Sequence, residues 1–289
     1  MAYRFKSGDA STSEALRRIA AEEFAAIGSA LADTSVPIPR KVHEGRKATK
    51  RLRALLRLVA PVFPEARAEI AVLRDAAARL SALRDKGALA ETLARLDLPE
   101  DVSVNLSAAL DKRRAAGAAA QKRLLATFAG EMGAAAGRAQ SWTLTQTGWH
   151  ALAPGLQRSH RRFRKSFEAA WRGRDEEPVH EFRKRAKDHW YQTLLLRGAF
   201  PEVMNGYAAA AERLCDDLGD WRDLGLLEAA VMDVPAHQLA KSDAAAALAL
   251  ISKARRRALR RAFRTARRLA GETPRAYTAR LAAWSKTRG

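Results

Sequence analysis

Two nine-residue strings carry the chemistry that can be read in this chain. Val42-His43-Glu44-Gly45-Arg46-Lys47-Ala48-Thr49-Lys50 and Val179-His180-Glu181-Phe182-Arg183-Lys184-Arg185-Ala186-Lys187 place His, Arg, Lys and Lys at the same spacing, 137 residues apart. On a helical wheel Arg46, Lys47, Lys50, Arg53 and Arg57 all fall within about 80° of His43, while Leu52, Leu55, Leu56 and Val59 fall opposite. One face is therefore core and the other a cationic ridge, roughly 21 Å long from His43 to Arg57 at 1.5 Å per residue. His180, Arg183, Lys184 and Lys187 repeat the ridge, which ends sooner, at Trp190, Tyr191 and Leu194.

Such a row suits oxyanions. Arginine grips phosphate oxygens with a planar fork and lysine adds point charges. A ridge much longer than one phosphate group fits a linear polyanion better than a metabolite. His43 and His180 each open a helix just after a proline, where backbone N–H groups point outward. Capping or packing would explain either histidine alone. Their identical place in both strings, in register with Arg and Lys, favours contact with a phosphate oxygen. His160 and His189 lie on apolar faces and are expected to be packed, and nothing is assigned to His150 or His237.

Two further helices should carry ridges. One presents Arg158, Arg161, Arg162, Lys165 and Arg172, with Leu156, Phe163, Phe167, Ala170 and Trp171 opposite. The other presents Lys253, Arg257, Arg260, Arg261, Arg264, Arg267 and Arg268, with Ile251, Ala258, Ala262, Ala266 and Leu269 opposite. Like charges at these spacings repel by a few tenths of a kcal/mol per pair. Four single-sign ridges with few interleaved acids call for a partner, and a groove lined by one sign retains a multivalent anion.

The composition agrees. Of 289 residues, 52 are Lys or Arg and 32 Asp or Glu, a formal net charge of +20. The excess is local: residues 151–252 are neutral, and 253–289 hold 13 basic residues against Glu272 alone. A surface that is merely solubilising would mix the signs. The lone Cys215 excludes a disulfide framework and fits a reducing compartment. No apolar run of about 18 residues is present. No signal segment opens the chain, so the cytoplasm is expected and a membrane is not.

Ala, Leu and Arg dominate and strand-like alternation is nearly absent, which predicts an all-α fold. Helices are expected over 13–31, 42–60, 65–83, 87–96, 104–130, 156–173, 179–198, 203–218, 224–232, 242–271 and 274–286. Beyond the two strings, Phe63-Pro64-Glu65 matches Phe200-Pro201-Glu202, and Leu80-Ser81-Ala82-Leu83-Arg84-Asp85-Lys86-Gly87 matches Leu218-Gly219-Asp220-Trp221-Arg222-Asp223-Leu224-Gly225. Three landmarks in one order read as an internal repeat. Two copies, 1–150 and 151–289, suggest two helical bundles facing each other across a pseudo-two-fold axis around a basic central groove or pore.

With these strings and landmarks, the chain resembles the CHAD family, the conserved histidine α-helical domain, from about Phe5 to Trp284. The resemblance implies two four-helix bundles and binding of inorganic polyphosphate in a strongly basic central groove or pore, in some members at polyphosphate granules. Carried over, the binding set is His43, Arg46, Lys47, Lys50 and Arg53, with His180, Arg183, Lys184 and Lys187. Arg158, Arg161, Arg162 and Lys165 match the basic run that precedes the second motif in similar proteins. The first copy is thinner, with only Arg17 and Arg18 before Glu22 and Glu23, and with a weak counterpart of the C-terminal ridge around Arg113, Arg114, Lys122 and Arg123. The site is thus expected to lean to the second half. Many relatives are fused to a triphosphate-hydrolysing CYTH domain marked by Glu-x-Glu-x-Lys. That motif is missing, so a link to such an enzyme is expected in trans.

Catalysis is not expected. Phosphoanhydride hydrolysis needs metal-holding carboxylates and a positioned water, and no carboxylate cluster lies beside the ridges. His43-Glu44 and His180-Glu181 open like a zinc-protease motif, but Lys47 and Lys184 stand where its second histidine belongs. Walker and nucleophile-elbow motifs are missing too. Arg84-Asp85 and Arg222-Asp223 read as helix-end caps or inter-helix ion pairs, and Glu22 and Glu23 as solvated. No cofactor is called for. The rival partners are nucleic acid, bound nonspecifically through its phosphates, and an acidic protein. Against nucleic acid, Phe163, Phe167 and Trp171 lie on core sides and leave the ridges without stacking platforms.

Overall fold

The computed structural model describes residues 3–80, 85–111, 117–235 and 237–286, all of them helix or short connection. Eleven α-helices occur among the described residues: α1 (Thr12–Ala32), α2 (Ile38–Val59), α3 (Ala66–Arg79), α4 (Asp85–Ala94), α5 (Glu100–Asp111), α6 (Ala118–Ala139), α7 (Gly148–Gly173), α8 (Glu176–Leu196), α9 (Pro201–Met232), α10 (Lys241–Leu269) and α11 (Pro274–Lys286). The fold is all-α.

Local chemistry sets the ends. Ser11 Oγ accepts from the Glu14 N–H (3.1 Å) and the Glu14 carboxylate accepts from the Ala10 N–H (2.7 Å), a capping box in which each side chain satisfies an orphan donor. Proline opens α2 and α9, where the missing N–H costs nothing. Arg174 closes α7 in the left-handed conformation, φ 56°, with its N–H on the Ala170 carbonyl (2.9 Å).

Three boundaries differ from the sequence expectation. α9 runs unbroken through Gly219 and Gly225, since Leu218, Trp221, Leu224 and Leu227 are all buried at helical spacing. That stripe outweighs a propensity cost of about 1 kcal/mol per glycine. Arg222-Asp223 is therefore mid-helix, a neighbouring pair at 3.5 Å. α7 begins at Gly148 and carries Pro154 inside it, because Ala151, Leu152 and Gly155 are packed in the core. The span 104–130 is two helices, the second opening after an extended Gly117. Arg84, Arg113 and Arg114 lie outside the described residues.

α1, α2, α3 and α6 pack on one another, and so do α7, α8, α9 and α10. α2 is shared, because it also packs on α7 and α8. Its Leu52, Leu55, Leu56, Leu58 and Val59 are fully buried. Their cluster takes in Tyr191, Leu195, Met204 and Tyr277 from later in the chain. A second cluster joins Phe163, Phe182, Leu218 and Phe263. A third holds α4 and α5 on the far end of α9 and α10 through Leu106, Leu227 and Ile251. His160 and His189 are buried among rings. His160 Nε2–H donates to the Glu272 carbonyl (3.0 Å) and stacks on Tyr277 at 4.3 Å, and His189 stacks on Phe163 at 4.5 Å. Burial lowers both pKa values, so both rings are neutral packing elements.

The closest approach fixes where α7 sits. A Cβ on Gly155 would stand 1.7 Å from the Leu58 carbonyl oxygen, so the two backbones touch. Gly155→Ala should lower the unfolding free energy by about 3 kcal/mol, the upper end of overpacking costs, since main chain cannot rotate away. Urea unfolding followed by circular dichroism measures this, and an unchanged midpoint would rule out the contact.

Candidate functional site

α2 and α8 meet at the C-terminal part of their ridges. Gln192 Nε2 donates to the Ala54 carbonyl (3.1 Å), and Arg57 Nη1 donates to Asp188 Oδ1 (2.7 Å). A step forward on α2 is a step back on α8, so the helices cross in opposite senses. The histidines flank that crossing: His43 lies 11 residues before Ala54 and His180 12 before Gln192, each about 17 Å away at 1.5 Å per residue. They do not face one another.

The crossing concentrates positive charge. Asp188 is buried and shared: Arg57 takes one oxygen and Arg185 Nη1 donates to the other at 3.0 Å. Arg185 Nε also donates to Glu181 (2.7 Å). Burial pushes the Asp188 carboxyl up, and Arg57, Arg185 and Arg53 oppose it. Arg53 stands beside them, half-buried. Burial and then the charge of Arg57 depress its guanidinium to about 10, with Arg74 and Arg185 adding to the effect and Asp188 opposing it. Among the described residues nothing accepts from Arg53 Nε. The wheel placed Arg53 and Arg57 on an outward ridge. The correction is that they point into the seam between α2 and α8, with Arg57 committed to an ion pair.

Toward the motif N-termini the side chains open outward. His43 is exposed, and Lys50 is half-buried. Arg46 is the exception, since its Nη1 donates to the Ala77 carbonyl near the end of α3 (2.6 Å). Lys47 lies 3.3 Å from Glu44, and Lys184, exposed, 3.5 Å from Glu181. Lys187 holds its ammonium over Trp190 at 4.5 Å, and Arg183 is half-buried beside it on α8. His180 is half-buried. Burial, then Lys184, Arg183 and Arg222, lower its pKa, so it is neutral at pH 7.

Arg158, Arg161, Arg162 and Lys165 are exposed along α7. The counterparts on α1 are used internally: Arg17 donates to the Trp142 carbonyl (3.0 Å), and Arg18 binds Asp9 (2.7 Å) and Glu22 (3.1 Å). Glu23, expected in solvent, is buried against Arg51 at 3.2 Å. Only Glu23 departs from that expectation, because its cation comes from α2, whereas half-exposed Glu22 pairs with Arg18 four residues earlier on α1 itself.

The α10 ridge divides. Lys253, Arg257 and Arg261 border a cavity of about 390 Å³ with Arg95 and Asp220, where Arg261 pairs with Asp217 (2.7 Å) and Asp220 (3.5 Å). Arg260 and Arg264 open instead on a cavity of about 1090 Å³ with Trp171, Trp221, Phe263 and Arg255. Neither cavity is lined by a residue of the two histidine motifs. Trp171, expected on a core face, is 45 % exposed. Its place two residues before Gly173, at the end of α7, is the signal that could have shown this. Cys215 is buried and pushed up to about 12, so it stays a thiol. No group of three His, Cys, Asp or Glu among the described residues could hold a metal ion. Among the described residues no helix is long and apolar enough to cross a membrane.

Comparison with known proteins adds the family. The crystal structure of the CHAD domain from the plant Ricinus communis matches with a TM-score of 0.60 at 22 % identity, over 94 % of this chain and 95 % of that one, a likeness of fold. No curated protein matches. The CHAD domain model matches residues 12–232, a span that includes both histidine strings and the α2–α8 crossing. With that match over most of its length, the chain belongs to the CHAD domain family.

Proposed function

We propose that this protein binds inorganic polyphosphate without transforming it, along a basic track that follows α2 and α8 through their crossing. Polyphosphate binding is a general property of the family, and the family is of a non-catalytic, binding type. The observation that carries the reading is the crossing itself: Arg53, Arg57 and Arg185 gather around one buried aspartate, and the Arg53 Nε lacks an acceptor among the described residues. Desolvated cations in such excess are relieved by an anion that enters from solvent. His43, Arg46, Lys47 and Lys50 lead into this point from one side. His180, Arg183, Lys184 and Lys187 lead in from the other, with Arg158, Arg161, Arg162 and Lys165 beside them on α7. Arg257 and Arg261 extend the positive surface, whereas Arg260 and Arg264 open on a cavity of their own. A track of this length suits a chain of phosphates, and its bearer would collect on polyphosphate granules. A polyphosphate-metabolising enzyme would then be met in trans.

Lys47 and Lys184 are the positions to alter, since Arg46 also holds α3. Lys47→Glu with Lys184→Glu should weaken binding of long polyphosphate at least about tenfold, leave helix content unchanged, and flatten the salt dependence as fewer counterions are released. Titration against orthophosphate and duplex DNA completes the test. Orthophosphate should bind weakly, and DNA binding as tight as polyphosphate at equal charge would overturn the reading.

His180 gives a second test. Its pKa is lowered in the free protein, and a polyanion beside it raises that pKa. Binding then takes up a proton, so affinity should rise as pH falls below the ordinary histidine value of about 6.5, by less than tenfold per pH unit. Calorimetry in buffers of different ionisation enthalpy counts the proton. His180→Asn should abolish the uptake, and uptake persisting in that variant would remove His180 from the site.

A further inference from the structure

The cavity of about 1090 Å³ is built from the second half of the chain alone: the end of α7, the start of α8, α9 and α10. It reaches the upper end of the size range of small-molecule sites, roughly 300–1,000 Å³. Two features set it apart from the track along α2 and α8. Its lining includes the rings of Trp171, Trp221 and Phe263, and the exposed Arg260, Arg264 and Arg267 line it from one helix, α10.

Trp171 is the exposed ring, at 45 %. The edge of Phe263 meets it at 5.3 Å between centroids, and the Arg174 guanidinium lies over the ring, 5.5 Å from its centre, where an incoming base would displace it or stack on the other face. Trp221 also faces the cavity but is buried, and Arg255 covers it at 4.7 Å. Arg255 is in turn held by Glu228 (2.7 Å) and Glu176 (3.2 Å). That end of the cavity is therefore closed to phosphate by two carboxylates. Arg260, Arg264 and Arg267, exposed on α10 on either side of Phe263, supply the cationic end. Arg267 in the last turn also complements the helix dipole. Arg260 and Arg264 have no such explanation.

A bare phosphate chain leaves an exposed indole unused. A ligand that joins a flat aromatic ring to a short run of phosphates uses both. We propose that this cavity binds a nucleoside polyphosphate, with the base against Trp171, which the buried Phe263 backs, and the phosphates on Arg260, Arg264 and Arg267. A nucleic-acid strand would need successive stacking platforms along its path, and here the platform is one ring in a bounded cavity. The proposal does not depend on polyphosphate binding along α2 and α8.

The probes are ATP and tripolyphosphate, titrated without metal into the full chain carrying Lys47→Glu and Lys184→Glu, so that the first site is weakened. ATP should bind at least about tenfold tighter than tripolyphosphate, the contribution of one stacked base. Trp171→Ala should remove that advantage and Trp171→Phe should keep most of it. Arg264→Glu should weaken both ligands. None of these changes should alter helix content, since Trp171 and Arg264 are exposed, nor should Trp171→Ala alter long-chain polyphosphate binding to the unmodified protein. Equal affinities for ATP and tripolyphosphate would overturn the proposal, as would an ATP advantage that survives Trp171→Ala. A short single-stranded oligonucleotide that binds more tightly than ATP and depends on Trp171 would overturn it in favour of nucleic acid.

Discussion

Placing several guanidinium groups in a seam between packed helices is the constraint on which the rest of this structure turns. Three arginines, Arg53, Arg57 and Arg185, surround Asp188 where α2 crosses α8, and two of them already share its oxygens. Desolvating charge is expensive, and a single buried carboxylate does not offset several cations. The seam persists because both helices are anchored elsewhere. Leu52, Leu55 and Leu56 hold α2 in one apolar cluster, and Val179, Phe182 and Ala186 hold α8 in another. Hydrophobic burial away from the seam stabilises what electrostatics alone would push apart. Such an arrangement has its charge arranged before a ligand arrives, so binding an anion need not reorganise the protein.

The neighbouring elements follow from that constraint. α7 lies against the backbone of α2 through Gly155, so its exposed arginines run beside the crossing. α3 is tied to α2 by Arg46. In α1 the arginines are drawn inward by Asp9, Glu22 and the Trp142 carbonyl, and its Glu23 neutralises Arg51. The asymmetry of the charged surface thus comes from local partners. Acids on α1 and in the N-terminal segment consume its cations, whereas α7 carries Glu168 alone between Gly148 and Gly173.

Much of this was legible in the sequence, and what was not has a common cause. Periodicity identifies which residues share a helix face, and so the all-α class, the burial of Leu52, Leu55, Leu56 and Val59 and the packing of His160 and His189 could be read directly. It does not say what stands opposite that face. Arg57 and Arg53 sit on the polar side of α2 and still point into protein, because α8 supplies Asp188 across a gap of 131 residues. Trp171 sits on the apolar side of α7 and is still exposed, because α7 ends two residues later and its neighbours cover it only in part. The continuity of α9 was hidden for a related reason. Gly219 and Gly225 look like breaks until Trp221 and Leu224 are seen to be buried by other elements.

The division of the α10 ridge shows what a wheel cannot resolve. Arg257 and Arg261 turn toward α4 and Asp220, while Arg260 and Arg264, one residue away or three, turn toward Trp171 and Phe263. Helical residues one apart differ by 100°, so a broad polar arc serves two surfaces at once when helices pack on both flanks. The same arginine-rich segment then meets two chemical environments. Beside α4 its charge is partly neutralised by Asp217 and Asp220 on α9. Beside α7 its charge borders the half-exposed Trp171 ring, whose aromatic carbon water solvates poorly. Sequence composition alone treats these as one cationic run, and it is the flanking helices that give each side its own surroundings.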